Sequence, residues 1–131
     1  MYEFHAWIGL SDSPFEQDQE AVEKVVPELE RLIAESIWPA ARYRIELLNG
    51  QYFLLMDGCP PRRRAEVDRM EELIQVVLQR LPGSWGLIYE RADEMEPPTG
   101  PNAFRVRVIA RGRMSEHSDP FLSPVNPVIE D

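Results

Sequence analysis

Two histidines, His5 and His117, and one cysteine, Cys59, are the chain's whole supply of imidazole and thiol, too few for a Cys/His zinc set. Serine, histidine and aspartate all occur, but no Gly-x-Ser-x-Gly elbow brings a nucleophile forward, and Gly83-Ser-Trp-Gly86 lacks the spacing. Gly100 and Gly112 stand alone, so no glycine-rich loop could cradle a phosphate. Asp93, Glu94 and Glu96 could approach calcium, yet they lack the alternating ligands of an EF-hand and read as a charged hairpin loop. His5 reads as a packed or hydrogen-bonded strand histidine, and Cys59 as an ordinary thiol with no internal disulfide partner. These residues predict no catalytic set, no metal and no cofactor. The chain is not expected to be an enzyme.

Charge says more. The 131 residues carry 23 Asp and Glu against 14 Lys and Arg, a net charge of −9, which argues against nucleic acid and for a basic protein partner. Between Ser11 and Trp38 the acids Asp12, Glu16, Asp18, Glu20, Glu23, Glu28, Glu30 and Glu35 meet only Lys24 and Arg31. Such a run is ordinarily a solvated helix face, and it is also one candidate contact surface. No apolar run approaches the roughly 20 residues of a membrane helix, so no membrane association is expected and the cytosol is the expected compartment.

The elements that must position these residues follow from hydrophobic period. Tyr2, Phe4, Ala6, Ile8 and Leu10 alternate with Glu3, His5, Trp7 and Gly9, as in a strand with one buried face. A helix is then predicted with Ser13 as cap, Pro14 in its first turn and Glu16 closing a capping box. Its apolar stripe is Val22, Val25, Val26, Leu29, Leu32, Ile33 and Ile37, Pro27 predicts a kink or a helix whose regular part begins near it, and Trp38-Pro39 ends it. Asn49-Gly50 predicts a type I′ hairpin that sets Leu47 opposite Tyr52, Ile45 opposite Leu54 and Tyr43 opposite Met56. After the breaker Gly58-Cys59-Pro60-Pro61, with Arg62, Arg63 and Arg64 near the helix start, Val67, Met70, Leu73, Ile74, Val77, Leu78 and Leu81 mark a second helix.

A last hairpin joins Ser84 to Arg91 with Asn102 to Ala110. In it Trp85, Leu87, Tyr89, Phe104, Val106, Val108 and Ala110 are expected to face the helices, while Arg105, Arg107 and Arg111 face away. The predicted fold class is α+β: a mainly antiparallel five-stranded sheet with both helices on one face, order βαββαββ, in a single domain over 1–131 whose tail is 112–131. The first helix would join its strands as in a ferredoxin-like split βαβ unit. His5, Trp7, Phe53, Leu55, Ile88 and Ile109 would line the open face, which is too apolar to stay wet. Either the tail, through Phe121, Leu122, Val125 and Ile129, folds back over part of it, or a partner covers it.

Read together, Met1-Tyr-Glu-Phe-His-Ala-Trp7, Asn49-Gly-Gln-Tyr-Phe53, Pro82-Gly-Ser-Trp-Gly-Leu-Ile-Tyr-Glu-Arg91, Asp119-Pro-Phe-Leu-Ser-Pro124 and Pro127-Val-Ile-Glu-Asp131 resemble the immunity-protein-seven family of bacterial polymorphic toxin systems. The resemblance spans the whole chain, and its last segments are the most specific. The sequence departs from the pattern at Ala6, where glycine is usual, and at Val125-Asn126, where a cysteine and an apolar residue are familiar. The resemblance implies a small cytosolic protein that binds the toxin encoded beside it and neutralises it stoichiometrically. Charge adds that the cognate toxin domain would be basic, as a nuclease with a substrate cleft is. Candidate contacts are Glu16, Asp18, Glu20 and Glu23 on the first helix, Asp93, Glu94 and Glu96 in the loop, and Trp7, Phe53 and Leu55 on the open face. The competing reading is a ligand-binding or regulatory module that self-associates through that face.

Overall fold

The structure is a computed structural model describing residues 1–15, 18–36, 39–61, 65–96 and 98–126. Its elements are β1 (Tyr2–Gly9), α1 (Gln19–Ala34), β2 (Ala41–Leu48), β3 (Gln51–Gly58), α2 (Ala65–Arg80), β4 (Trp85–Ala92), β5 (Arg105–Ala110) and β6 (Arg113–Ser118). They form one antiparallel sheet in the order β2-β3-β1-β4-β5-β6. β1 and β2 are thus parallel with β3 between them, and β3 and β4 are parallel with β1 between them. Each helix therefore bridges a split pair, and the two βαβ units interlock in the ferredoxin-like manner.

Six strands replace the expected five, and the element order gains a strand at its end. Residues 113–118, read from sequence as the beginning of the tail, pair with β5 from Ala110↔Arg113 to Arg105↔Ser118. The connecting residues Arg111 and Gly112 both have positive φ, 54° and 74°, which fits a two-residue type I′ turn. The segment Arg113-Met-Ser-Glu-His-Ser118 has no β-branched or aromatic run to advertise itself.

The first hairpin forms in the expected register, with Tyr43↔Met56, Ile45↔Leu54 and Leu47↔Tyr52, and Asn49 and Gly50 take φ of 49° and 77°. Tyr2, Phe4, Ala6 and Ile8 of β1 share one core with Val22, Val25, Val26 and Leu29 of α1 and Val67, Met70, Leu73, Ile74 and Val77 of α2. Both helices therefore cover the same face of the sheet.

Three local expectations are corrected. α1 begins at Gln19 rather than near Pro14: Asp18 is its N-cap and accepts from the Glu20 N–H at 3.0 Å, whereas Ser13 Oγ accepts from the Phe15 N–H in a turn before it. α1 contains Pro27 and ends at Ala34, short of the expected end at Trp38-Pro39; Ile37 and Trp38, like Glu16 and Arg62 to Arg64, lie outside the described residues. The β4–β5 hairpin is in the opposite phase to that expected. Phe4↔Glu90, Ala6↔Ile88 and Ile8↔Gly86 carry the core face onto β4, and Glu90↔Arg105 and Ile88↔Arg107 carry it onto β5. Ile88, Ile109, Arg105 and Arg107 thus face the helices, and Trp85, Leu87, Tyr89, Val106, Val108 and Ala110 face the other way.

Mutual neutralisation lets those arginines point inward. Glu90 is fully buried; it accepts from Tyr2 Oη at 2.5 Å, from Arg107 Nη2 at 2.6 Å and from Arg105 Nη2 at 2.7 Å. Arg107, 3% exposed, also bonds Glu71 at 2.7 Å. Burial opposes the Arg107 charge, but Glu71 and Glu90 outweigh it and hold the guanidinium protonated above its ordinary range.

Candidate interaction surface

The face of the sheet away from the helices is built strand by strand from alternate residues. β1 contributes His5 and Trp7, β3 Phe53, Leu55 and Asp57, β4 Trp85, Leu87 and Tyr89, and β5 Val106 and Val108. Trp7 sits between Leu55 and Leu87 in one cross-strand row, 43% exposed, and Trp85, 40% exposed, closes the Gly9 end of the face. A Cβ on Gly9 would lie 2.4 Å from the Trp85 ring, so the missing side chain is what lets the indole lie across the strand. A shallow depression of about 230 Å³ beside Trp7 is lined by His5, Arg44, Leu55, Asp57 and Tyr89.

Charged side chains ring this apolar centre. Arg42 pairs with Asp57 at 2.6 Å, Arg44 reaches Glu46 at 3.5 Å, and Glu3 accepts from Arg91 Nε at 2.6 Å and contacts His5 Nε2 at 2.6 Å. Partial burial opposes ionisation of Glu3, but the hydrogen bonds from His5 and Arg91 win and hold its carboxyl below the usual range. Burial, and then the neighbouring Asp119 carboxylate, push the Tyr89 phenol up. His5 is thus the hydrogen-bonded strand histidine expected from the sequence.

The tail covers only one edge of the face: Asp119, itself buried, reaches the Tyr89 phenol, and Val106, opposite Tyr89, is buried, while Trp7 and Trp85 stay exposed. Asp119 N–H donates to Phe104 carbonyl at 3.1 Å and Val125 N–H to Asn102 carbonyl at 2.9 Å, which tie the tail to the β4–β5 loop at one end of the sheet. Phe121 and Leu122, expected as anchors, are 82% and 58% exposed, and Ile129 lies outside the described residues. The polar grip of Asn102, Asp119 and Ser123 does the docking instead.

The sequence-predicted candidates fall into three places. Trp7, Phe53 and Leu55 come together on the open face. Asp18, Glu20 and Glu23 are exposed at the start of α1 and make no ion pair among the described residues. Asp93, Glu94 and Glu96 are exposed in the β4–β5 loop, where Asp93 is occupied by the Met1 ammonium at 3.0 Å. These two acidic groups are not one surface: α1 starts beyond the Gly9 end of β1 and the loop adjoins its Tyr2 end, about 25 Å away along eight strand residues. Beside the α1 acids, at the Gly9 end, stand the exposed Phe15, Leu47 and Leu48.

Sequence reasoning missed Trp85, Leu87 and Tyr89 as members of the open face. Nothing in the sequence marks the phase, because Glu90, Arg105 and Arg107 share one face of the hairpin whichever way that face points. Among the described residues no group of three or more His, Cys, Asp or Glu is arranged to hold a metal ion, and no helix is long and apolar enough to cross a membrane.

Neither the curated proteins nor the solved structures contain a match to this sequence. The family model described as Immunity protein 7 matches residues 1–131, the full length given. The chain belongs to the Immunity protein 7 family.

Proposed function

We propose that this protein protects the cell that makes it by binding a cognate toxin domain of a polymorphic toxin system stoichiometrically, with an acidic surface and without catalysis. The full-length family match carries this reading, since an immunity role requires a toxin to neutralise. The net charge of −9 supports a basic partner, and a nuclease with a cationic substrate cleft is the toxin class that such a charge would attract over long range.

Of the two acidic groups, the start of α1 is the better contact. Glu20 and Glu23 are exposed and unpaired among the described residues, whereas Asp93 is already neutralised by the Met1 ammonium. Phe15, 92% exposed at the same end, offers the apolar anchor that a charge patch alone lacks. The loop acids would then contribute to steering and not to contact.

Co-expression with the toxin encoded beside it tests the reading. Glu20→Lys with Glu23→Lys, which leaves the Asp18 cap intact, should abolish or sharply reduce protection, while Glu94→Lys with Glu96→Lys should weaken it little. Raising salt from about 50 mM to about 500 mM shortens the Debye length from roughly 14 Å to roughly 4 Å and should slow association several-fold. Full protection by both variants, together with a salt-independent association rate, would refute the acidic contact.

A further inference from the structure

We infer that the open face of the sheet is the interface of a homodimer, its occupant a second copy of this chain. The face has an apolar centre of Trp7, Phe53, Leu55, Trp85, Leu87 and Tyr89 inside a charged rim, the anatomy of a protein interface. The tail reaches only its Tyr89 edge, through Asp119, and is otherwise tied to the β4–β5 loop.

Charge selects the occupant. The rim holds four arginines, Arg42, Arg44, Arg91 and Arg113, and four carboxylates, Glu3, Glu46, Asp57 and, beside Tyr89, Asp119. The face is therefore balanced, and among the described residues the exposed acids without an ion-pair partner, such as Glu20 and Glu23, lie on other surfaces. A strongly basic partner gains nothing electrostatically here and is drawn to the helices. Two copies of an acidic chain repel each other across every surface except a balanced one. Here, opposite rim charges can also be offered by each copy to the other.

Area agrees. The four eight-residue strands β2, β3, β1 and β4, about 4.8 Å apart at about 3.3 Å per residue, present roughly 500 Å² per copy, so a face-to-face pair removes about 1,000 Å² from water. That reaches the roughly 1,000 Å² that a specific protein interface needs. Two sheets stacked about 10 Å apart would bury their inner faces as a sandwich does.

Sedimentation velocity on the purified chain, with no toxin present, decides the matter, so dimer and toxin binding fail independently. At about 100 µM, above the micromolar dissociation constants of ordinary interfaces of this size, the protein should sediment at twice 15.2 kDa. Trp7→Glu should be monomeric at that concentration with an unchanged far-ultraviolet circular dichroism spectrum. Arg44→Glu, an exposed rim change that leaves the core untouched, should raise the dissociation constant at least several-fold; it decides the question if Trp7→Glu does not fold. A wild-type monomer at about 100 µM, a folded Trp7→Glu that remains dimeric, or an Arg44→Glu that dimerises as well as wild type would each overturn the inference.

Discussion

Arg107 and Glu90 place full charges in the interior, and their cost is offset only because each has two oppositely charged partners. Replacing Arg107 with Leu leaves Glu71 and Glu90 facing each other across an apolar gap, with Glu90 held by Arg105 and Tyr2 alone. The expected loss is about 3 kcal/mol of unfolding free energy, read from the urea midpoint, whereas Ala at the exposed Arg44 should change it by less than about 0.5 kcal/mol. Glu3 makes a prediction in pH. Its carboxyl is held low in the folded state, so its pairing stabilises the fold above the ordinary glutamate value and that stability is lost as pH falls through the lowered one. Glu3→Gln should therefore be less stable than wild type at pH 7, and the two melting temperatures should converge on acidification below about pH 4. A gap that persists undiminished at low pH would mean that the charge of Glu3 is irrelevant.

Elements were legible in proportion to how one-sided they are. The β2–β3 hairpin was readable in full because Asn49-Gly50 fixes its turn and only one phase buries Tyr43, Ile45, Met56 and Leu54 together. β4 and β5 were readable as strands but not in phase, since both Leu87 and Ile88, and both Val108 and Ile109, are apolar, and a two-residue period has no preferred origin in such a run. The helix start was misplaced for a related reason. Ser13-Pro14 and Asp18 are both competent caps, and the choice is made by tertiary contact: a Cβ on Gly83 would lie 2.2 Å from the Ser13 backbone, so the chain at Ser13 is packed on the turn before β4 and cannot yet be helical. Asp18→Ala should accordingly cost about 1 kcal/mol, and the loss of the Ser13 hydroxyl by Ser13→Ala less than half as much, both measurable by chemical denaturation. Equal costs would mean that the helix is stopped from starting earlier by something other than that packing.

Across the described residues, charge and apolar surface are partly segregated: exposed acids collect at the start of α1 and in the loops, and Trp7 and Trp85 on a sheet face whose rim charges balance, while Phe15 and Phe121 stand exposed off the sheet. The sequence showed part of this, the acids of α1 and Trp7, Phe53 and Leu55 on the open face, but not the face as a whole, because β1, β3 and β4, which build it, are separated by α1 and α2 along the chain and the phase of β4 is not fixed by its own residues. The same interleaving governs when the protein can begin to act. β1 lies at the centre of the sheet, yet one of its neighbours is β3 and the other β4, so the first strand to leave the ribosome is the one that waits longest for its partners. A fragment ending at Gly58 holds three strands but lacks α2 and the strand that closes the far side of β1; its circular dichroism should be that of an unfolded chain. At about 5 to 20 residues per second, synthesis spends several seconds between β1 and the end of β4 with the sheet's central strand unpaired on that side. If the protein protects as proposed, resistance lags the start of each round of translation by at least that interval, and a cell under attack is guarded by molecules made beforehand, not by those it has just begun to make.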